Sequence, residues 1–491
     1  MADTNGFEYP FIAGHRDTSR SAETFETVNP ATEEVISQVV QCGQRHVDDA
    51  VEAARVAQRT WWAMPPAGRG ERIWRWGELL VEHSEELAKL DTIDMGKPIR
   101  DSLATTPVTA KLCRYYGGLA DKIWGHMVPV TPGHLSYTRR DPLGVSGIIL
   151  PWNGPVQAFV GRVTAALACG NGVVVKPSEF SPLSALRLAE LTLAADMPEG
   201  LVNVLTGDGR VGAMLAAHPG VDGVSFTGSV PTGRKVNEAA ASTFKKVILE
   251  MGGKSPNVVF ADADLDEALR GTIWGVFYNT GQVCCAGTRL IVERGIARDF
   301  VARLKQKVSQ VRVGDPMDPS VHIGPIVCRK QYDRVRSYLE VGRAEARVEL
   351  GGGRPRGLPG EGGFYVEPTI FTQALPTMRI SQEEIFGPVL TVLEFDDEEE
   401  ALQLANGVDY GLSATIWTRD SARLLRMAER VEAGTVWCNT ARLYDPALPF
   451  GGYKNSGLGN ASGEGAIEGN TKLKRVSIRF DPRAAAPGWN L

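Results

Sequence analysis

The sequence predicts an α/β fold in which two blocks of alternating strands and helices lie beside a small β element. From residue 143 to residue 241, short apolar segments alternate with segments of helical periodicity, which is typical of a doubly wound parallel sheet. A second alternating block begins near Pro256 and runs to about residue 440. The chain of 491 residues is too long for one small core and indicates two or three domains.

The N-terminal region and the first block have the clearest periodic patterns. Residues 46–63 and 70–93 carry apolar residues at helical spacing, which predicts two amphipathic helices. In the first block, the predicted strands cover 143–150, 172–176, 201–205 and 223–227, and the predicted helices cover 155–169, 181–195, 211–217 and 231–241. Short connections between these segments favour a parallel sheet with helices on both faces.

The second block and two isolated segments complete the predicted elements. Strand candidates in the second block lie at 258–260, 289–292 and 389–393, and the Gly/Pro-rich stretch 351–363 is typical of an exposed loop. The strand-like stretches 135–139 and 476–480 are isolated from both blocks. An isolated strand needs an edge to pair with, and another subunit could supply it.

Composition argues against several classes of partner. Hydrophobic residues make up 43% of the chain and charged residues 23%, which is ordinary for a soluble globular protein. The formal net charge is −5 and no long Lys/Arg block occurs, which argues against nucleic acid or an anionic membrane as the main partner. No apolar stretch reaches the roughly 18 residues needed to span a bilayer, and no secretory signal is visible at the start.

The cysteines predict neither a disulfide framework nor a metal site. Seven cysteines are scattered along the chain, with no CxxC pair and no metal-ligand spacing to the seven histidines. We therefore expect no metal and a reducing, cytoplasmic environment.

Cys284 is the candidate nucleophile and Glu250 the candidate base. Cys284 lies in the small-residue stretch Gly-Gln-Val-Cys-Cys-Ala-Gly, and Glu250 lies upstream in Leu-Glu-Met-Gly-Gly-Lys. This combination suits covalent catalysis, in which a thiolate attacks a carbon electrophile and a carboxylate later activates water. Taken alone, adjacent cysteines are more often packed as small hydrophobes.

Two glycine-bearing turns suggest a dinucleotide. Residues 207–212 fit GxGxxG, with Gly209 and Gly212 in the motif, but the next strand ends without the acid that holds a ribose in such sites. The following turn, 226–233, offers backbone N–H groups and the Ser229 hydroxyl to phosphate oxygens. Each turn is also compatible with a tight strand-to-helix connection, but two in succession favour a dinucleotide.

Lys176 and Glu179 follow another predicted strand and could both bind a ribose diol. A carboxylate at this position repels a 2′-phosphate, so NAD is favoured over NADP. A solvated surface pair is an equally good interpretation of these two residues alone.

Taken together, these stretches resemble the NAD(P)-dependent aldehyde dehydrogenase superfamily over most of the chain. The motifs that carry the resemblance, in order, are NPAT (29–32), PWN (151–153), KPSE (176–179), FTGS (226–229), EMGGK (250–254), GQVC (281–284), EIFGP (384–388) and PFGGYK (449–454). The resemblance implies a Rossmann-type NAD-binding domain (1–122 and 143–252) and an α/β catalytic domain (253–455). It also implies a small β oligomerisation element (123–142 and 471–491) in a homodimer or homotetramer.

The resemblance also implies the chemistry. Cys284 attacks a small-molecule aldehyde, and hydride passes to the nicotinamide. The Asn153 amide and the Cys284 backbone N–H hold the oxyanion, and Glu250 activates water against the thioester. A free carboxylic acid is the expected product, because relatives that transfer the acyl group to coenzyme A lack this base. Without the resemblance, Asn153 in its Trp-Asn-Gly turn is typical of a turn former.

For the cofactor, the resemblance assigns Lys176 and Glu179 to the adenosine ribose and Ser229 to the pyrophosphate. It places Glu384 at the nicotinamide ribose and Phe386 beside the ring, although a solvated acid and a core residue are the alternatives. Gly209 and Gly212 are expected on the adenine side. The other expected cofactor contacts are Leu150, Pro151, Trp152, Ser178, Phe226, Thr227, Gly228 and Met251.

Departures from the family pattern bear on the substrate. Gly154 stands where relatives that take simple aliphatic aldehydes carry a bulky aromatic, and small or polar residues follow at Gln157, Ala158 and Gly161. This predicts a wide pocket for a bulky, cyclic or aromatic aldehyde. The remaining expected substrate contacts are Tyr278 and Tyr444 as aromatic walls, and Val283 and Cys285 on either side of the nucleophile.

Arg442 leaves a second substrate class open. An arginine in the loop at the pocket mouth could bind the carboxylate of a semialdehyde acid, but it could equally pair with Asp445 or solvent. The stretch 459–463 also lacks the Arg-Glu pair usual in the family. A non-catalytic structural relative and a reductase coupled to acyl phosphate or coenzyme A are the remaining alternatives. The presence of Cys284, Glu250 and Asn153 together argues against the first.

Overall fold

The computed structural model describes residues 6–18, 23–358 and 362–484. The strands within this part of the chain are β1 (Phe7–Glu8), β2 (Phe11–Ile12), β3 (His15–Arg16), β4 (Thr24–Val28), β5 (Val35–Val40), β6 (Met127–Val128), β7 (His134–Pro142), β8 (Val145–Ile149), β9 (Gly172–Lys176), β10 (Val202–Val204), β11 (Gly223–Thr227), β12 (Lys246–Glu250), β13 (Pro256–Val259), β14 (Arg289–Glu293), β15 (Arg347–Leu350), β16 (Thr369–Thr372), β17 (Val389–Phe395), β18 (Tyr410–Gly411), β19 (Ser413–Trp417), β20 (Thr435–Cys438), β21 (Tyr453–Lys454), β22 (Gly457–Leu458) and β23 (Thr471–Arg479).

The helices of the same residues are α1 (Gln44–Ala63), α2 (Pro66–Glu82), α3 (Ser84–Met95), α4 (Ile99–Leu119), α5 (Pro155–Ala168), α6 (Leu183–Ala194), α7 (Gly209–Ala217), α8 (Val230–Ala241), α9 (Leu265–Phe277), α10 (Arg294–Val308), α11 (Arg329–Glu345), α12 (Arg379–Gln382), α13 (Glu398–Asn406), α14 (Ser421–Arg430) and α15 (Gly463–Gly469).

The first large sheet has the predicted doubly wound topology. Its strand order is β22-β12-β11-β8-β9-β10-β2-β3, and the five strands from β8 to β12 run parallel. The chain runs outward from β8 through β9 to β10 and then places β11 on the other side of β8. The carboxyl ends of β8 and β11 therefore flank the switch point at which sheets of this type bind ligands.

Sequence chemistry explains why these strands and helices form. The strand β9, with the sequence Gly-Val-Val-Val-Lys, is buried along its whole length, as expected for a parallel strand covered on both faces. One face packs on a core that includes Trp61, Trp76 and Phe159. Each large apolar side chain of this kind contributes about 1.5–3 kcal/mol when fully buried. The helix α5 begins with Pro155, which is preorganised for a first helical turn.

The second large sheet carries the predicted nucleophile. Its order is β15-β16-β17-β14-β13-β19-β20, and only β15 at the edge is antiparallel. The loop that holds Cys284 connects α9 to β14, and Glu384 lies in the loop before β17. Both residues therefore belong to connections of this sheet.

A separate three-stranded sheet has the order β23-β7-β6. The two segments predicted as isolated strands pair with each other here, with Tyr137 opposite Val476, so the chain itself supplies the edge. Large apolar side chains remain exposed on and beside this sheet, including Trp124, Met127, Leu473 and Phe480. Residues 485–491 of the predicted oligomerisation element lie outside the described residues.

The predicted helix over 70–93 is wrong in one respect, because it is divided into α2 and α3 at His83. The backbone of His83 has φ −100° and ψ 18°, which is not helical, and its N–H donates to the Leu79 carbonyl. The His83 ring also contacts the Glu86 carboxylate at 2.8 Å. Apolar periodicity runs across such a one-residue break, so it could not reveal the division.

Candidate active site

The strand ends gather the predicted catalytic and cofactor residues at one edge of the first sheet. Ile149 is in register with Lys176 and with Phe226, and Thr227 is in register with Glu250. Because parallel strands end at the same edge, the segments after these four strands leave the sheet side by side.

The loop that carries Cys284 starts with strained backbone. Asn279, Thr280 and Gly281 have φ values of 50°, 59° and 69°, in the left-handed region. Such backbone costs about 1–3 kcal/mol for each non-glycine residue and clusters at functional sites. A Cβ atom on Gly281 would lie 2.2 Å from the Gly387 carbonyl oxygen, so only glycine fits here. The loop leaves Cys284 partly exposed, whereas Cys285 is 2% exposed.

Asn153 contacts the nucleophile loop from the first sheet. Its Nδ2 donates to the Gln282 carbonyl oxygen at 2.8 Å, and the Asn279 amide donates to the Asn153 carbonyl at 2.8 Å. A primary amide has two N–H donors, so Asn153 has a second one for a substrate oxygen. The buried Gln282 side chain accepts a bond from the Val327 N–H at 3.0 Å. Asn279 and Gln282 were not predicted, since nothing in the sequence distinguishes these bridging amides from loop residues.

The two neighbouring thiols differ in their surroundings. Cys285 Sγ lies 2.7 Å from the Tyr444 hydroxyl. A hydrogen bond from Cys284 lowers the pKa of Cys285 to about 6, and the Arg442 charge acts in the same direction. That same bond, together with burial and the negative charge of Cys285, raises the pKa of Cys284. The pair therefore loses its first proton easily, while the sulfur of Cys284 is the more accessible one.

Glu250 is a buried carboxylate at the end of β12. It is 2% exposed, and neither of its carboxylate oxygens has a hydrogen-bond partner among the described residues. Its backbone is held by the Gly228 N–H at 3.0 Å and by pairing with Gly457. Burial raises the pKa of Glu250 to about 8, although the Arg162 charge opposes the shift. A carboxylate that titrates near neutral pH is suited to general-base catalysis.

Arg162 is a charged residue near the candidate site that sequence analysis missed. It donates to the Ala461 carbonyl at 2.9 Å and to the Thr227 hydroxyl at 3.2 Å, and its charge acts on both Glu250 and Cys284. It is the only charged residue of α5. A lone charge in an apolar helix was the available signal. Ala461 lies in the stretch that lacks the usual Arg-Glu pair, and there its backbone carbonyl binds Arg162.

The residues predicted for the adenosine end of the cofactor lie together. Lys176 Nζ lies 3.2 Å from a Glu179 carboxylate oxygen, and the Ser178 hydroxyl lies 3.4 Å from the same oxygen. Burial lowers the pKa of Lys176, although Glu179 opposes the shift. A Cβ atom on Gly209 would meet nothing within 4 Å, and one on Gly212 would meet only Ile149, at 3.7 Å. The space beside α7 is therefore open.

The remaining predicted cofactor residues line the same edge of the sheet. Ser229 caps α8, and its hydroxyl lies 3.0 Å from that of Thr232. Phe226 and Thr227 end β11, and Gly228 follows them. The Leu150 N–H donates to the Lys176 carbonyl, and Pro151 follows Leu150. The Met251 N–H donates to the Ser456 carbonyl.

Glu384 lies in the loop before β17 of the second sheet and contacts the segment that follows β12 of the first sheet. Its carboxylate accepts a bond from the Gly253 N–H at 3.1 Å, and burial raises its pKa to about 7. A Cβ atom on Gly252 would lie 2.1 Å from the same carboxylate, so a larger residue there would displace the Glu384 side chain. Phe386, with φ +61°, packs edge-to-face on Trp152 at 5.1 Å between ring centroids.

Lys254 is a second residue that sequence analysis missed. Its side chain is fully buried, and its Nζ has no hydrogen-bond partner among the described residues. Burial lowers the pKa of Lys254 to about 7, and the nearby charge of Arg289 adds to the shift.

The position after Asn153 borders open space. A Cβ atom on Gly154 would meet nothing within 4 Å. Ala158 is half-buried and Gln157 is exposed on the first turn of α5, and Val283 is half-buried before the nucleophile.

Aromatic rings and one arginine lie beside the thiol pair. Tyr278 stacks against Trp274 at 4.5 Å and lies under the Arg442 guanidinium at 4.1 Å. Tyr444 packs against Trp437 and Phe450 at 5.7 and 5.8 Å. Trp274 had not been predicted.

The described ranges contain neither a cluster of metal ligands nor a membrane-spanning helix. No group of three or more His, Cys, Asp or Glu residues there is placed to hold a metal ion. No helix in that part of the chain is long and apolar enough to cross a membrane.

Comparison with known proteins places this geometry in a family. The model of the aldehyde dehydrogenase family matches residues 17–476. Betaine aldehyde dehydrogenase 1 of Rhizobium meliloti (strain 1021) is 44% identical over 475 residues, which cover 96% of this chain and 97% of that protein.

Two solved structures are similarly close. An NAD+ complex of an aldehyde dehydrogenase from Bacillus cereus has a TM-score of 0.94 and 41% identity, covering 97% of both chains. A mutant of the indole-3-acetaldehyde dehydrogenase AldA of P. syringae, in complex with NAD+ and IAA, has a TM-score of 0.94 and 40% identity, covering 96% of both chains. On these matches, the chain belongs to the aldehyde dehydrogenase family.

Proposed function

We propose that this protein oxidises an aldehyde to the free carboxylic acid, with NAD as the hydride acceptor. Family membership and the NAD complexes of two relatives support this chemistry. The observation that carries the proposal is that Asn153 is bonded to the loop of Cys284 and that the charge of Glu250 acts on Cys284. These three residues are the constellation needed to hold an oxyanion, activate water and form a thioester.

The residues at this edge fit NAD. Lys176 and Glu179 would hold the adenosine ribose, and the Glu179 carboxylate would repel the 2′-phosphate of NADP. Ser229 and the N-terminus of α8 would hold phosphate oxygens. The buried Glu384 carboxylate has one donor, Gly253, and keeps acceptor capacity for the hydroxyls of the other ribose. When bound, NAD accepts the hydride that leaves the substrate carbon.

Acylation begins with the thiol pair. The reactive pair has already lost one proton and starts as a Cys285 thiolate that accepts a hydrogen bond from the Cys284 thiol. The Cys284 thiol passes its proton along this hydrogen bond to Cys285, which leaves the negative charge on Cys284. The Cys284 thiolate then attacks the aldehyde carbon, and a C–S bond forms while the carbonyl oxygen becomes an oxyanion. The free N–H of Asn153 and the backbone N–H of Cys284 stabilise that oxyanion, which collapses to a thioester as hydride leaves.

Deacylation is the task of Glu250. Its carboxylate takes one proton from a water molecule, and the resulting hydroxide attacks the thioester carbon. The C–S bond breaks, the Cys284 thiolate leaves and the carboxylic acid is released. The positive charge of Arg162 opposes the effect of burial on Glu250, so a fraction of the carboxyl groups is ionised near neutral pH.

We further propose that the substrate is bulky and carries a ring or a branch. The open space at Gly154 and the small side chain of Ala158 support this, because a bulky residue there would fill that space. The similarity to an indole-3-acetaldehyde dehydrogenase supports a ring-bearing aldehyde.

The test is NADH formation by the pure protein with benzaldehyde, a terpenoid aldehyde and acetaldehyde, each with NAD and with NADP. We expect kcat/KM for benzaldehyde to exceed that for acetaldehyde by at least about 10-fold, because each well-packed methylene-sized group contributes a factor of about 10 or more. A preference for acetaldehyde would contradict the wide pocket. Turnover that requires coenzyme A would instead indicate acyl transfer.

We also propose that the predicted NAD-binding and catalytic domains are the parts of the chain built around the two large sheets. The sheet of β6, β7 and β23 would then join subunits. Exposed apolar patches of this kind mark interaction sites. Leu473→Asp should therefore shift the sedimentation coefficient toward the monomer value. Leu425→Asp, at an exposed leucine on α14, is the matched control. Equal sedimentation of Leu473→Asp and wild type would contradict this role.

A further inference from the structure

Arg442 is a buried cation beside the thiol pair, and the described residues offer it no hydrogen-bond acceptor. Its Nε and Nη1 atoms are buried and make no hydrogen bond with any described residue. Within the described ranges no carboxylate forms an ion pair with it, not even Asp445, which instead accepts a bond from the Ala447 N–H. Burying donors that remain unsatisfied is costly, so this arrangement favours an external acceptor.

The guanidinium is fixed in place. Its Cζ atom lies 4.1 Å from the centroid of the Tyr278 ring and 5.6 Å from that of Trp274. Its loop is tied down by the Trp437 indole N–H, which donates to the Leu443 carbonyl at 3.0 Å. A guanidinium held against aromatic rings is partly oriented for a planar anion before it binds one, which lowers the entropy cost of binding.

A second cation lies on the same ring. Lys97 Nζ lies 5.8 Å from the Tyr278 centroid and donates to the Thr105 hydroxyl at 2.9 Å. Burial raises the pKa of Asp101, although the charges of Lys97 and Arg442 oppose the shift, and its own ion pair is with Arg100, at 3.5 Å. Two cations therefore lie on the Tyr278 ring, and Asp101 pairs with a third cation.

The Cys285 thiolate is the competing partner, since its charge acts on Arg442. No hydrogen bond joins Cys285 to Arg442 in the described structure, however, and the sulfur is bonded to the Tyr444 hydroxyl. Arg442 can thus favour the thiolate from a distance while its N–H groups stay free for another acceptor.

These contacts also disfavour a cationic substrate. A quaternary ammonium group such as that of betaine aldehyde is recognised by the faces of aromatic rings. Here the protein's own arginine covers the faces of Tyr278 and Trp274 and would repel such a group.

From these observations we infer that the substrate carries a carboxylate, separated from its aldehyde by a ring or a short chain, and that Arg442 binds this carboxylate. The inference rests on the proposed function, which supplies the aldehyde chemistry. Arg442 would be a specificity-determining residue, contributing two parallel N–H donors to the carboxylate.

The test compares 4-formylbenzoate with benzaldehyde, which differ only in the carboxylate. We expect wild type to have the higher kcat/KM for 4-formylbenzoate, and Arg442→Met to reduce this preference about 10- to 100-fold, as expected for a charge-assisted bond. Arg442→Lys should retain part of the preference, because it keeps the charge but loses the fork. Arg356→Met, at an exposed arginine of the 351–358 loop, is the matched control.

Each outcome decides between the explanations. A gain in betaine aldehyde turnover by Arg442→Met would support the inference further. An equal decrease in kcat/KM for 4-formylbenzoate and benzaldehyde in Arg442→Met would overturn it, because Arg442 would then act only on the thiol pair. Wild-type turnover of benzaldehyde without preference for 4-formylbenzoate would also overturn it and leave the proposed function intact. Failure of wild type to oxidise any aldehyde would overturn the proposed function itself.

Discussion

Replacing Cys284 with alanine should abolish NADH formation with every aldehyde, whereas replacing Cys285 with alanine should leave a measurable burst of NADH in the first turnover. The loss at Cys284 should be at least about 10⁴-fold, as for other enzymes without their nucleophile. This pair of variants is the sharpest test of the site, because the hydrogen bond from Cys284 and the charge of Arg442 lower the pKa of Cys285 and make it the more acidic thiol. Acidity alone would therefore select the wrong sulfur, and access to substrate decides for Cys284.

The Cys285 variant has a second expected effect, on pH dependence. In wild type, the first proton leaves the pair with a pKa of about 6, because the Cys284 hydrogen bond and Arg442 favour the Cys285 thiolate. Without Cys285, that anion is lost and Cys284 must titrate by itself, closer to the ordinary thiol value of about 8.5. In the Cys285 variant, the pH profiles of the initial NADH burst and of alkylation by iodoacetamide should both shift to higher pH. Retention of the burst in Cys284→Ala would reverse the assignment.

Much of the site could be predicted from the sequence because its residues follow strand ends. The predicted strands 172–176 and 223–227 coincide with β9 and β11, and short apolar segments followed by Gly, Pro or Ser mark where they end. In a parallel sheet all such ends meet at one edge, so local patterns imply a shared location. Assigning roles to Asn153 or Glu384 still required the family resemblance, since each has an ordinary structural interpretation alone.

The parts that were missed depend on contacts between distant segments. Arg162 acts on Glu250 from another element, and Lys97 reaches Tyr278 from the loop between α3 and α4. The pairing of β7 with β23 joins segments more than 300 residues apart in the chain, as in the bond between the Ser136 and Ser477 hydroxyls. Periodicity describes one segment at a time, so it cannot reveal which distant side chains share a pocket.

The second large effect is expected at Glu250. Glu250→Gln should produce close to one equivalent of NADH per active site and then stall, because acylation needs only the thiol pair while hydrolysis needs the base. We expect the steady-state rate to fall about 10²- to 10⁴-fold, the usual contribution of general-base catalysis. Intact-mass measurement should show the acyl group retained on the protein. Glu429→Gln, the same change at an exposed residue of α14, should behave as wild type.

The pH dependence separates a base from a residue that merely maintains the fold. Burial raises the pKa of Glu250 to about 8, and only its deprotonated form can accept a proton from water. The rate of thioester hydrolysis in wild type should therefore rise as pH passes through about 8, and the Gln variant should lose that rise. Arg162→Met should move the rise to higher pH, because removing the positive charge leaves burial unopposed. A Gln variant that hydrolyses its thioester at the wild-type rate would exclude Glu250 as the base, since a buried amide cannot take the proton that hydrolysis releases.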